Sequence, residues 1–302
     1  MEIRQNVSLA EFTSWNIGGP AEYLVLPKTI EELRESLEWA SHKKLAVTVM
    51  GGGSNVLISD LGIPGLTICL RKFSKIETRI QEGVIEIDCL SGTSKSELLK
   101  VFLKQSLSPA LFLAGLPGDV GGGIVMNAGV AEALVPREFG ELVDSFEVLL
   151  FRQGAFEIKK FKHKDIDWQY RHSTGWEPGI IVSAVLRWPL TPEPGILERV
   201  REANKIRLSK QPLDLPSCGS VFINPVGHKA AQLIESCGLK GFRMGDAQVS
   251  LKHANFIVNL NRATAIDTWN VILHVQSKVK DKTGVDLKTE VVRLGNWPAS
   301  SS

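Results

Sequence analysis

Seventeen residues from Leu113 to Gly129, LAGLPGDVGGGIVMNAG, contain six glycines, and that density constrains the chain more than any other feature. Glycine loses the most backbone freedom on folding and has no side chain to pack, so the run should be neither helix interior nor strand interior. It reads as a structured loop that brings main chain close to something. A second cluster, GGGSN from Gly51 to Asn55, abruptly ends a short β run, Ala46 to Met50, and a further apolar run, Val56 to Ile58, follows it. A third lies in TSWNIGGPA, Thr13 to Ala21, and alone says little. Consecutive amides unshielded by side chains form concave nests that suit a diphosphate. Either loop alone is more simply a tight turn, but two in one chain favour a ligand. Neither GxGxxG nor GxxxxGK[ST] occurs, which disfavours the dinucleotide-binding and P-loop classes.

With 302 residues, two domains of roughly 150 residues are expected. Lys plus Arg number 35 against 33 for Asp plus Glu, so no net field would hold the chain on nucleic acid or an anionic membrane, and anion recognition must be local. No apolar run approaches the ~18 residues of a spanning helix, and MEIRQNVSLAEF lacks the pattern of a secretory signal. A cytoplasmic protein without nucleic-acid or membrane partners is expected. Cys69, Cys89, Cys218 and Cys237 form no CxxC and read as reduced, mostly buried thiols. The histidines show neither HExxH nor HxH spacing, so no metal is expected, and no GxSxG elbow is present.

Periodicity gives an α+β order. Thr29 and Glu32 form a capping-box pattern at the head of a helix over TIEELRESLEWASHKK. Ile76–Ile80 with Val84–Leu90, and Val143–Phe151 with Ala155–Phe161, read as hairpins, with a helix over Ser94–Gln105 between them. A strand over Ile180–Trp188 and a helix over Ile196–Lys210 precede a proline-bearing linker, Lys210–Cys218. Beyond it come a strand from Ser220, a helix over Lys229–Cys237, a strand over Asn255–Leu260, a helix over Ala263–Lys282 and a strand over Glu290–Leu294.

Three segments carry reactive groups. In WQYRHS, Arg171 could hold a carboxylate in a two-pronged fork; its bland alternative is a structural surface arginine. PSCGSVFINP sets Ser217 and Ser220 around Cys218, or is simply a proline-bounded turn. In LKTEVVRLG, Glu290 is either half-buried, which would matter for its pKa, or a solvated strand edge. KKFKHKD, Lys159 to Asp165, reads as a solvated strand end. Local chemistry alone leaves an anion-binding α+β protein of open activity.

Taken in order, TSWNIGGPA, GGGSNVLISD, GLPGDVGGGIVMNAG, YRHS, PSCGSVFINP, GDAQVSLKHANFIVN and LKTEVVRLG resemble successive signatures of the UDP-N-acetylenolpyruvoylglucosamine reductase family, from about residue 7 to residue 295. The spacing is similar to the family's shorter second type. The resemblance implies a two-lobed FAD-binding module of the vanillyl-alcohol-oxidase/PCMH-like kind plus a smaller α+β substrate-binding domain. The lobes would be residues 1–70, joined by a returning strand at 288–297, and residues 71–211; the UDP-sugar domain would be 212–287, and 298–302 a disordered tail.

The resemblance also implies non-covalent FAD, NADPH as hydride donor and a UDP-sugar substrate, in a monomeric enzyme of bacterial peptidoglycan synthesis. By similarity, Gly51, Gly52, Gly53, Ser54, Asn55, Gly115, Pro117, Gly118, Gly121, Gly122, Asn127, Ala128 and Gly129 would bind the cofactor. Arg171, Ser220 and Glu290 would be catalytic, and Tyr170, Asn224, Gln248, His253 and Asn255 would bind substrate. Three departures stand out: Ile223 where many members have Lys, for which Lys229 or Lys252 could compensate, Gly123 where alanine is common, and AEALVPREFGEL in place of a tyrosine- and glutamate-rich continuation. The rival readings are a sugar or lactone oxidase on the same fold, and a UDP-sugar binder without turnover.

Overall fold

The computed structural model describes residues 1–130 and 134–298; the expected disordered tail lies, from residue 299 on, outside them. The chain folds as two compact units, each drawn from separated stretches of sequence. The first comprises Met1–Ile3, Val25–Gly52 and Thr67–Lys205; the second comprises Arg4–Leu24, Gly53–Leu66 and the chain from Ile206 onward.

The first unit is built on a five-stranded antiparallel sheet in the spatial order Ile76–Gln81, Val84–Leu90, Ile180–Pro189, Val143–Arg152, Ala155–Lys162. Both expected hairpins form for a local reason. Their two-residue loops, Glu82-Gly83 and Gln153-Gly154, have positive φ at both positions, the conformation that matches strand twist and that glycine accepts freely. Along Val84–Leu90, Ile85, Ile87 and Cys89 are buried while the residues between them are not, so one face meets a core that includes Phe102, Phe112, Phe139 and Phe146. The helix Lys95–Lys104 closes that core with Leu98 and Phe102, and starts from a full capping box of Ser94 and Glu97. In the helix Ile30–His42, Thr29 accepts the Glu32 amide. The Glu32 carboxylate accepts from Lys28 instead of Thr29, at 2.7 Å.

The glycine run corrects one expectation. It is not loop throughout: Val120–Val125 is a short helix with Gly121, Gly122 and Gly123 inside it and Asp119 as its N-cap. Close packing explains the residue choice. A Cβ on Gly123 would lie 2.9 Å from the Phe139 ring and 3.0 Å from Lys95 Cε, and one on Gly121 would lie 3.1 Å from Ser91 Cβ. The main chain does approach something closely, and that something is the protein.

The second unit packs Trp15, Ile17, Leu57, Phe222, Val271 and Ile272 into its own core. Its long helix, Ala265–Thr283, is capped by Thr264 and ends on Gly284 in the left-handed conformation. The Asp60 carboxylate accepts from the Ala265 and Ile266 amides at 2.8 and 2.9 Å, satisfying two donors that a helix start leaves open. Arg243–Met244, Ala247–Val249 and Ile257–Asn259 form an antiparallel sheet, and Val292–Leu294 pairs in parallel with Val56–Ile58. The strands expected over Asn255–Leu260 and Glu290–Leu294 are thus shorter. The one expected from Ser220 reduces to an isolated bridge between Phe222 and Thr289. Cys69, Cys89 and Cys218 are buried free thiols, and Cys237 is half-buried. Among the described residues no helix is long and apolar enough to cross a membrane.

Candidate active site

In the first unit the two glycine-rich segments meet through one carboxylate. Asp119, 5% exposed, accepts from the Gly122 amide at 2.7 Å with Oδ1 and from the Gly52 amide with Oδ2. A Cβ on Gly51 would fall 2.1 Å from Asp119 Oδ2, so only glycine lets the chain pass there. The Gly52 carbonyl accepts from Arg71 Nη2 at 2.7 Å, which holds that residue from its other side.

This arrangement narrows the set of amides that the glycine-rich loops can offer to an anion. The amides of Gly52 and Gly122 serve Asp119, that of Gly121 serves the Ser91 carbonyl at 2.8 Å, and those of Gly115, Asn127 and Ala128 serve Phe112, Ile124 and Gly123. The Asn127 side chain is also committed, to Glu138, to the Gln169 carbonyl and to the Gly140 amide. Pro117 gives its carbonyl to Lys95 Nζ at 3.0 Å, and Gly129 gives its carbonyl to Arg171 Nη2 at 3.0 Å. Among the described residues, the expected donors left uncommitted include the amides of Gly53, Ser54, Asn55 and Gly118. Beside Gly121, Ser91 Oγ is buried with no partner among the described residues. Within the first unit, the spare Gly118 amide and the orphaned Ser91 hydroxyl, both on side-chain-poor main chain, fit a flavin nucleotide.

Arg171 sits on a tight loop. The strands Asp167–Gln169 and His172–Thr174 pair with Gln169 opposite His172, leaving Tyr170 and Arg171 to make the turn. Arg171 takes φ +60°, a conformation that costs a non-glycine residue energy and persists where its surroundings enforce it. Its guanidinium stacks on the Tyr170 ring at 4.6 Å, and Tyr170 itself is 49% exposed.

In the second unit Ser220 and Glu290 lie on adjoining segments. The Glu290 amide donates to the Val221 carbonyl at 2.8 Å, and Ile223 donates to Lys288 at 3.0 Å. Asn255 anchors the other side, accepting the Val221 amide with its carbonyl at 2.9 Å. Its side chain bonds both polar groups of Phe222, at 2.9 Å to the amide and 2.8 Å to the carbonyl. Ser220, half-buried, is therefore the residue just before a doubly held segment. Glu290 is also half-buried, and Asn55 Nδ2 donates to its carbonyl at 3.0 Å. Burial, with help from the Glu290 charge, pushes the Cys218 thiol well up, which keeps it protonated.

Two residues expected to contact substrate also brace the backbone. Asn255 is spent on Phe222, and Asn224 Oδ1 accepts from Ala230 at 3.0 Å, at the start of the helix Ala230–Ser236. Gln248 reaches the Gly241 carbonyl at 3.3 Å. His253 keeps a buried Nδ1 without a partner among the described residues, and burial, then Lys240, holds its pKa below the ordinary value. Lys252 gives its ammonium to the Leu208 carbonyl at 2.8 Å. Sequence reasoning missed Asp119 and Lys95: the first stood inside the glycine run, and the second is a charged residue that the helical pattern places without showing its burial.

An FAD binding domain model matches residues 21–157, the stretch that contains both glycine-rich loops. With the sheet-and-loop architecture above, that defines the class as an α+β flavin-binding protein. A second model, for the C-terminal domain of UDP-N-acetylenolpyruvoylglucosamine reductase, matches residues 211–294. The reductase of that name from Prochlorococcus marinus strain NATL2A is 40% identical over 296 residues, covering 98% of this chain and 99% of that one. The one from Listeria innocua is 40% identical over 294 residues, covering 97% and 95%. The crystal structure of the Thermus caldophilus reductase superposes with a TM-score of 0.76 at 32% identity, covering 97% of this chain and 99% of that one. The chain belongs to the UDP-N-acetylenolpyruvoylglucosamine reductase family.

Proposed function

We propose that the protein reduces UDP-N-acetylglucosamine enolpyruvate to UDP-N-acetylmuramate at the expense of NADPH, using non-covalently bound FAD, as a monomer in the bacterial cytoplasm. FAD, when bound, supplies the hydride chemistry, and the chain supplies alignment and charge. Residues 1–70 with 288–297, and residues 71–211, serve the cofactor; residues 212–287 serve the UDP-sugar.

Uncommitted amides at Gly53, Ser54, Asn55 and Gly118 take the diphosphate, and the remaining glycines of both loops give it room. Adding hydride to the enolpyruvyl double bond leaves negative charge beside the substrate's carboxylate. Arg171 and Glu290 engage that carboxylate, with Glu290 carrying or sharing a proton, since a bare carboxylate would repel the developing charge. Ser220 Oγ gives a proton to the carbon where that charge builds; positioned acid catalysis of this kind contributes roughly 10²- to 10⁴-fold. Tyr170, Gln248 and His253 contact the sugar nucleotide, whereas Asn224 and Asn255 act through the backbone they hold.

The observation that supports this reading is the backbone bond from Glu290 to Val221, with Asn255 bracing the other side, since residues 220 and 290 then belong to adjoining segments. Ser220→Ala tests it. Reduction of the bound flavin by NADPH should stay near the parent rate while reoxidation by the enolpyruvyl sugar falls by roughly 10²-fold or more. Equal damage to the two half-reactions would assign Ser220 a structural role only.

A further inference from the structure

Lys95 opens a helix yet is only 4% exposed, and an ammonium is among the groups least often buried without a partner charge. Its stem uses the room that Gly123 leaves, since a Cβ there would meet Lys95 Cε at 3.0 Å. Its Nζ donates to the Pro117 carbonyl at 3.0 Å and lies 5.4 Å from the centroid of the Phe139 ring. One neutral acceptor and one ring face repay little of the desolvation of a full charge. Asp119 supplies an opposite charge alongside: its backbone bridges that of Ser94, the Gly118 carbonyl before it accepts the Lys95 amide at 3.0 Å, and its side chain is buried as well. Burial lowers the Lys95 pKa to about 8; the Asp119 carboxylate works against that drop, and the Arg171 guanidinium adds to it.

Asp119 is held in place by its own bonds. Its two oxygens take the Gly122 and Gly52 amides, so a fixed negative charge occupies a backbone nest next to the free amide of Gly118. Left uncompensated, that charge would repel a diphosphate approaching the same main chain.

We infer that Lys95 is a positioning residue for the FAD diphosphate, its buried ammonium cancelling the Asp119 charge so that the carboxylate can clamp both glycine loops without repelling the phosphates beside it. The inference rests on the FAD-binding reading of these loops. It deepens that reading by assigning the electrostatic balance of the cradle to a buried lysine outside the glycine loops.

The test measures binding of FAD, and separately of riboflavin, to flavin-free protein by flavin fluorescence, with the thermal midpoint of the flavin-free protein alongside. Riboflavin carries the same ring and no phosphate. Lys95→Met should weaken FAD binding roughly tenfold to a hundredfold, the range for removing one partly screened unit charge at an effective dielectric constant of ~20, and leave riboflavin affinity within about threefold. Lys95→Met with Asp119→Asn should recover FAD affinity relative to Lys95→Met alone. Where Lys95→Met does not fold, a second comparison, between Asp119→Asn and the double variant, replaces it. Asp119→Asn alone should bind FAD roughly tenfold tighter than the double variant, with equal riboflavin affinity. Parallel loss of FAD and riboflavin, or indifference of FAD affinity to Lys95 in both comparisons, overturns the inference. Failure of the parent protein to take up FAD at all would instead remove the flavin reading on which it stands.

Discussion

Replacing Asn255 by leucine keeps the side chain's branching and its number of heavy atoms and removes both polar atoms that hold Phe222. The amide of Asn255, 4% exposed, bonds the Phe222 N–H at 2.9 Å and the Phe222 carbonyl at 2.8 Å. Phe222 is itself in the core of the second unit, so water does not reach the two groups left behind. Each stranded backbone group costs about 1–3 kcal/mol, giving an expected loss of about 2–6 kcal/mol in unfolding free energy for Asn255→Leu. Urea unfolding followed by tryptophan fluorescence reads this as a midpoint lowered by roughly 1 M or more at unchanged slope. The effect on catalysis should be selective. The Val221 amide also bonds Asn255, through its carbonyl, and Ser220 is the next residue back. Reoxidation by the enolpyruvyl sugar should therefore slow more than reduction by NADPH. A midpoint equal to that of the parent, with both half-reactions slowed alike, would refute the assignment of Asn255 as the brace of the Ser220 segment.

Lys95 predicts a pH signature. Burial lowers its pKa from 10.5 to about 8, so across that window the unfolded chain holds a proton that the folded chain has released, and stability rises with pH. At about 1.4 kcal/mol per pH step, the flavin-free parent should gain about 3 kcal/mol more than Lys95→Met between pH about 7.5 and about 10.5, read from urea midpoints; identical pH dependence of the two proteins would contradict the burial cost. At Arg171, held at φ +60°, Arg171→Gly should be more stable than Arg171→Ala by about 1 kcal/mol, because only glycine adopts that conformation freely. Both variants should lose flavin reoxidation. Equal thermal midpoints would show the turn relaxing once the guanidinium is gone.

What could be read from the chain was what neighbours in sequence determine. Gln81-Glu82-Gly83 and Arg152-Gln153-Gly154 announce their hairpins because a two-residue turn needs positive φ and glycine supplies it at the second position. Thr29, Ser94 and Thr264 accept from amides three residues on, the range over which a capping side chain reaches. The motifs that point to the family were legible for the same reason. The use of the glycine amides was not, because their main acceptor is a side chain 67 positions from Gly52, and no local pattern says whether an amide serves an anion or an aspartate. Asn255 looked like a substrate contact by position in its motif, while its partner is main chain 33 residues away. Strands of two or three residues, such as Arg243–Met244 and Ala247–Val249, carry too few residues for alternation to register; their tertiary setting makes them.

The second unit is assembled from three separated stretches, and Trp15 shows what that means for a nascent chain. Its indole N–H donates to the Ile257 carbonyl at 2.7 Å, 242 positions later, and its own carbonyl accepts from Asn259 at 3.0 Å. At ~5–20 residues per second on the ribosome, the indole emerges roughly 10 to 50 s before its partners exist. Throughout that interval one of the largest apolar side chains of the molecule must wait on the N-terminal arm without a core to enter. The arm that is made first is thus locked last, and a chain released short of Ile257 leaves that tryptophan as an open invitation to chaperones and proteases.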